Sequence, residues 1–244
     1  MIFRFLGSCD SGGIPVHNCD CLACKTYRKE KKVDLSTSAA IEYENNVILL
    51  DAGIEDISTI YDGKNIKAVF LTHFHADHAM GLLRLRYSND KIKCFHPKDE
   101  DGFSDLFKHK QSIEYIQNSP LKVIKIDNIS FIPIPLKHSK NTTGYIIKTP
   151  NKTLAYLTDC GGIEDEYLSF LKTFTFDYIF IDACFIPPKI GNHLNYDDAT
   201  NLIDSLNTKQ AHLMHKSHKV VEHIMKNNID LKYKYVDKNF SIDI

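Results

Sequence analysis

The sequence predicts an α/β (α+β) architecture: an αββα sandwich of two mixed β-sheets packed face to face, with helices outside. Three observations point there. Short apolar runs bounded by turn residues recur along the chain. The early runs are joined by hairpin-length turns, whereas helix-length patterns interrupt the later ones. The runs also fall into two comparable groups, as two packed layers require.

Element by element, strands are expected at 1–6, 39–43, 47–50, 68–72, 91–95, 121–126, 129–134, 143–148, 153–157, 178–181 and 211–214. Asn45-Asn46 and Pro150-Asn151-Lys152 read as hairpin turns. Helical patterns cover 56–61, 77–85, 164–171, 196–206 and 219–227. Asn195 is placed to cap the fourth of these, with Asp197 and Asp198 in its first turn. No repeat, low-complexity stretch or Pro/Gly-rich linker divides the 244 residues, so one domain over 1–244 is expected.

Composition narrows the function classes. Lys+Arg is 30 and Asp+Glu 31, a net charge of −1, which argues against a protein built to hold nucleic acid. No stretch approaches the ~18 apolar residues of a membrane span, and the first six residues do not form a signal peptide. A cytoplasmic protein without a membrane partner is expected. Its seven cysteines are an odd number, which fits metal ligation better than a disulfide framework.

Two clusters carry the chemistry. In Leu71-Thr72-His73-Phe74-His75-Ala76-Asp77-His78, four potential ligands fall within six residues, directly after an apolar strand. His73 and His75 project from one side of an extended segment, while Asp77 and His78 fall where a helix begins. Two ligand sets are therefore available to cations such as Zn²⁺ or Mn²⁺. The second cluster is Cys19-Asp20-Cys21-Leu22-Ala23-Cys24, a small zinc knuckle at about 17–25. Three thiolates need a fourth ligand to close a tetrahedral structural Zn²⁺, and His218 is the best candidate.

The HxHxDH pattern resembles that of the metallo-β-lactamase superfamily, and the likeness extends along most of the chain. It implies the fold of that family and a pair of divalent cations, Mn²⁺ or Zn²⁺. His73, His75 and His138 would hold one cation and Asp77, His78 and His215 the other, with Asp159 bridging. Asp51, ending the apolar run Ile48-Leu49-Leu50, would orient a ligand histidine. Gly12-Gly13-Ile14-Pro15, the cysteine cluster, Gly191-Asn192-His193-Leu194-Asn195 and His215-x-x-His218 look like the phosphodiesterases that open phosphoribosyl 1,2-cyclic phosphate in the carbon–phosphorus lyase pathway. That likeness implies phosphonate metabolism and a small phosphodiester substrate. It also assigns Asp77 and His193 to catalysis, with His193 as general acid or charge stabiliser.

A tRNA 3′-processing nuclease and a non-catalytic metal protein serving a biosynthetic pathway are the alternatives, and a homodimer is compatible with each. Residues 98–119 carry no ligand pattern and are free to shape the substrate pocket.

Overall fold

The computed structural model describes residues 1–244. The elements run β1 Ile2–Gly7, α1 Leu22–Lys29, β2 Ser38–Tyr43, β3 Asn46–Leu50, α2 Ile57–Ile60, β4 Asn65–Phe70, α3 Ala76–Ala79, α4 Leu82–Leu85, β5 Ile92–His96 and β6 Ile113–Gln117. They continue β7 Ile124–Ile126, β8 Ile129–Leu136, β9 Thr142–Lys148, β10 Thr153–Leu157, α5 Asp165–Leu171, β11 Thr175–Asp182, α6 Tyr196–Asp204, β12 Asn207–Met214, α7 His218–Asn227 and β13 Ser241–Asp243.

One sheet has the order β13-β1-β2-β3-β4-β5-β6 and the other β12-β11-β10-β9-β8-β7. Both are mixed. Pairing is antiparallel from β13 to β3 and parallel from β3 to β6. In the second sheet it is antiparallel from β7 to β10 and parallel from β10 to β12. Alternation along each strand builds three layers of core. Ala68 and Phe70 of β4 face the space between the sheets, with Leu154 and Tyr156 of β10 and Phe180 of β11. Val69 and Leu71 point outward to Ile57, Leu82 and Leu85 on the helices of the first sheet. Ala155, Leu157, Ile179 and Ile181 point the other way, to Leu171, Ala199 and Ile203. Period-two strands buried on both faces read as continuous apolar runs, which is why they are legible in the sequence.

The differences from expectation are local. The 77–85 pattern breaks at Gly81 into α3 and α4. A Cβ on Gly81 would stand 2.6 Å from the Ile54 carbonyl oxygen, so this turn lies against the β3–α2 loop. Two strands, β6 and β13, lie outside the expected set. Both are edge strands with partly exposed patterns. The knuckle is not wholly a loop: Cys21 caps α1, its Sγ accepting from the Cys24 N–H, and Cys24 lies in the first turn. Asn195 caps α6 as expected, accepting from the Asp198 N–H.

One buried ion pair ties the last ligand segment to the frame. Lys216, 2% exposed, lies 2.9 Å from Asp34 Oδ2 and 2.7 Å from Asp237 Oδ1, and donates to Ser8 Oγ and the Val236 carbonyl. Burial would lower its pKa, but Asp34, Cys9 and Asp237 raise it. Lys216→Ala strands the Asp34 carboxylate and is expected to cost about 3–5 kcal/mol, the usual penalty for half of a buried pair. Urea unfolding of chelator-treated protein measures it.

Candidate metal centre

The polar residues gather at the carboxyl ends of β3, β4, β8, β10, β11 and β12, the edge at which open α/β sheets place their ligands. Asp51 follows β3, Thr72 and His73 follow β4, and His138 follows β8. Asp159 follows β10, Asp182 ends β11, and His215 follows β12. A glycine makes room: a Cβ on Gly53 would stand 1.6 Å from the Asp77 carbonyl oxygen, so only glycine lets the β3 loop pass beneath α3.

Asp159 sits between two groups. Its Oδ2 faces His73 Nε2 at 3.6 Å and His138 Nε2 at 3.5 Å. His75 Nδ1 closes that side, 2.8 Å from His73 Nε2 and 3.3 Å from His138 Nε2. Asp159 Oδ1 faces the other way, 3.3 Å from His78 Nε2 and 3.2 Å from His215 Nδ1. Asp77 Oδ2 lies 3.6 Å from His78 Nε2. These separations suit edges of coordination shells whose ligands stand about 2.0–2.2 Å from a shared centre. The structure thus brings together all seven residues expected there, in the two expected sets.

Protonation suits cation binding at the His73, His75 and His138 set, whereas Asp159 and Asp51 outweigh burial and raise the pKa of His78. Burial pushes the pKa values of His73, His75 and His138 down, favouring neutral imidazole. Burial of Asp159 alone would raise its pKa, but His215, His78 and His73 pull it well below the usual carboxylate range. His78 Nδ1–H donates to Asp51 Oδ2 at 2.8 Å, and Asp51 also accepts from the Thr72 N–H at 2.7 Å. That fixes the tautomer of His78 and leaves its Nε2 buried, without a hydrogen-bond partner, facing the two carboxylates. An orphaned buried nitrogen at this point fits a cation ligand. His138 is oriented similarly, its Nδ1–H donating to the Asn192 carbonyl at 2.8 Å.

His193 stands beside this cluster, its ring stacked on His215 at 5.0 Å and edge-on to His138 at 4.9 Å. Its Nδ1–H donates to Asp182 Oδ2 at 2.7 Å. Burial opposes its protonation, but Asp182 outweighs burial and raises the pKa. Sequence reasoning misses Asp182. It ends the apolar run Ile179-Phe180-Ile181 just as Asp51 ends Ile48-Leu49-Leu50, and that parallel is the available signal.

Some distance away, Cys19, Cys21 and Cys24 place their Sγ atoms 3.5, 3.5 and 3.7 Å from His218 Nδ1. Tetrahedral zinc with Zn–S of about 2.3 Å and Zn–N of about 2.0–2.1 Å requires S···N near 3.5 Å. The four residues fit that ion.

The family model for the β-lactamase superfamily domain matches residues 46–216. The chain belongs to the metallo-β-lactamase superfamily. Coenzyme PQQ synthesis protein B of Acinetobacter baumannii is 29% identical over 213 residues, 70% of each chain. A ribonuclease Z of Methanopyrus kandleri is 28% identical over 122 residues, 45% of this chain and 43% of that one. Among solved structures, a diphosphatase of the PhnP family superposes with a TM-score of 0.82 at 23% identity, covering 100% of this chain and 97% of the other. Membership of the metallo-β-lactamase superfamily agrees with the two-sheet fold and with a metal-binding His/Asp cluster at this edge. No helix is long and apolar enough to cross a membrane.

Proposed function

We propose that this protein is a phosphodiesterase that opens a small cyclic phosphate at a centre of two divalent cations. The observation that carries this reading is Asp159, one oxygen turned to each ligand set, with the His193–Asp182 pair alongside. Two cations bound there would supply an activated water and positive charge for the phosphoryl oxygens. The chain's own residues do the rest. Asp51 and the Asn192 carbonyl hold His78 and His138 in the ligand tautomer. Asp182 keeps the Nδ1 proton of His193 and favours its charged form, so Nε2–H can protonate the departing oxygen.

A cleft of about 640 Å³ opens beside His138. Lys98, Lys137, Lys140, Asn118 and Asn141 line it, so part of the 98–119 segment does face the site. No Phe, Tyr or Trp ring lines it, His138 being its one aromatic side chain, which suits a polar phosphorylated substrate better than a stacked base. Turnover of bis-p-nitrophenyl phosphate with Mn²⁺ or Zn²⁺, followed by a comparison of cyclic phosphates with tRNA precursors, tests the reading. Preference for the precursors would make it a nuclease.

Similarity to the coenzyme PQQ synthesis protein over most of the chain favours one other reading, a metal protein that serves a biosynthetic pathway without hydrolysing phosphodiesters. Full metal loading with no turnover of any phosphodiester would select it. In either case, dialysed protein is expected to keep zinc at the thiolates, while the His/Asp centre exchanges Mn²⁺ and Zn²⁺. Elemental analysis finding no zinc after dialysis would remove the structural site.

A further inference from the structure

The thiolate cluster and the His/Asp centre are joined by a short, constrained piece of chain. β12 ends at Met214, and His215 follows in the left-handed backbone region at φ 58°. A residue with a Cβ stays there only where its surroundings hold it. The turn sends the His215 side chain toward Asp159, and three residues later His218 faces the cysteines. Between them Lys216 is locked: its N–H donates to the Ser8 carbonyl, and its carbonyl accepts from the Asp10 N–H. Ser217 donates to the Cys184 carbonyl and caps α7.

The region around the cysteines has little apolar support, and Arg28 donates to the carbonyls of Cys19 and Val16 there. Its apolar core is only Cys9, Ile14 and Cys24, with Val16, Tyr27 and Val221 against it. Apart from the contacts of Cys21 and Cys24 with His218, one hydrogen bond links the start of α1 to α7, from the Leu22 N–H to Glu222 Oε1. Cys19 and Cys21 are partly exposed. A cation shared by these four side chains would add a further tie between α1 and α7.

We propose that this knuckle is a redox-releasable clamp on His215. The proposal rests on the reading of His215 as a cation ligand. Hydrogen peroxide is the oxidant. Two thiolates, Cys21 and Cys24 across the first turn of α1, give up two electrons and form one Sγ–Sγ bond. The peroxide takes those electrons and two protons from the buffer, and leaves as two water molecules. The remaining thiolate and His218 cannot retain Zn²⁺, which departs. His218 is freed and the α7 end of the linker loosens, which leaves only the bonds of Lys216 and Ser217 to hold the left-handed turn of His215. The second cation site, with Asp77 and His78, weakens as a result.

The test titrates zinc- and Mn²⁺-loaded full-length protein with hydrogen peroxide. Zinc release is read with a chromogenic chelator, free thiols by titration, Mn²⁺ affinity by the signal of unbound Mn²⁺ in electron paramagnetic resonance, and folding by far-UV circular dichroism. The expected result is loss of two thiols with release of the zinc and a Mn²⁺ affinity lowered roughly 10–100-fold, the scale on which supports of a ligand act. The dichroism should stay unchanged, and dithiothreitol with zinc should restore the affinity. His218→Cys, which keeps four ligands, should respond in the same way.

Zinc release with unchanged Mn²⁺ affinity overturns the clamp, as does thiol oxidation without zinc release. Global loss of dichroism reduces the knuckle to a folding element and overturns it too. Protein that binds no Mn²⁺ before peroxide overturns the cation-centre reading along with this one. Turnover is not among the readouts, so the clamp stands or falls separately from phosphodiester hydrolysis.

Discussion

Asp159→Ala is expected to bring phosphodiester turnover down by at least about 10³-fold, beyond the loss of a single charge-stabilising donor. The reason is its position. Each carboxylate oxygen faces a different ligand set, so one truncation takes a ligand from both. The remaining histidines are crowded, with His73 Nε2 2.8 Å from His75 Nδ1, and without the central negative charge a pair of dications would repel one another more strongly. Calorimetric titration should therefore show weakened binding at both sites rather than one. The fold should persist, because the layers of core are apolar and independent of Asp159. Loss of a single cation with the other bound normally would show that the carboxylate does not bridge. Near-normal turnover would move the reaction elsewhere.

His193→Ala should leave both cations bound and lower kcat by a factor on the order of 10²–10⁴, the usual contribution of a positioned acid. Seven other residues are placed to supply the ligands, and His193 spends its Nδ1 proton on Asp182. The loss should shrink for p-nitrophenolate, which departs without a proton, and stay large for an alkoxide such as a sugar hydroxyl. An equal loss on both would point to stabilisation of phosphoryl charge. Asp182→Asn adds a pH test. Asp182 raises the pKa of His193, so its removal lowers that pKa. An acid must be protonated to act, so the alkaline limb of kcat should move to lower pH in the variant. An unmoved limb together with unaltered kcat in His193→Ala would remove the pair from the mechanism.

How much of this is legible in the sequence depends on the range over which each feature is determined. The strands of the two central layers can be read because burial on both faces leaves an unbroken apolar run, as at Ile48–Leu50 and Ile179–Ile181. His73, His75, Asp77 and His78 can be read because four ligands in six residues need only a strand end and a helix start to aim them. The thiolates of Cys19, Cys21 and Cys24 are legible by the same short-range logic. The edge strands β6 and β13 are not, since a strand exposed on one side carries a weaker pattern. Nor is α1, where only Ala23 and Cys24 are buried and the cysteine cluster conceals the helix. His138, Asp159 and His215 are placed by resemblance, because nothing local in the sequence shows that three separate strands end at one point. Asp182 beside His193, Asn192 against His138, and the left-handed turn at His215 are decided by the tertiary structure alone. Each depends on how the ends of different strands are stacked and staggered, a distance set by the packing of two whole sheets and recorded in no short segment of chain.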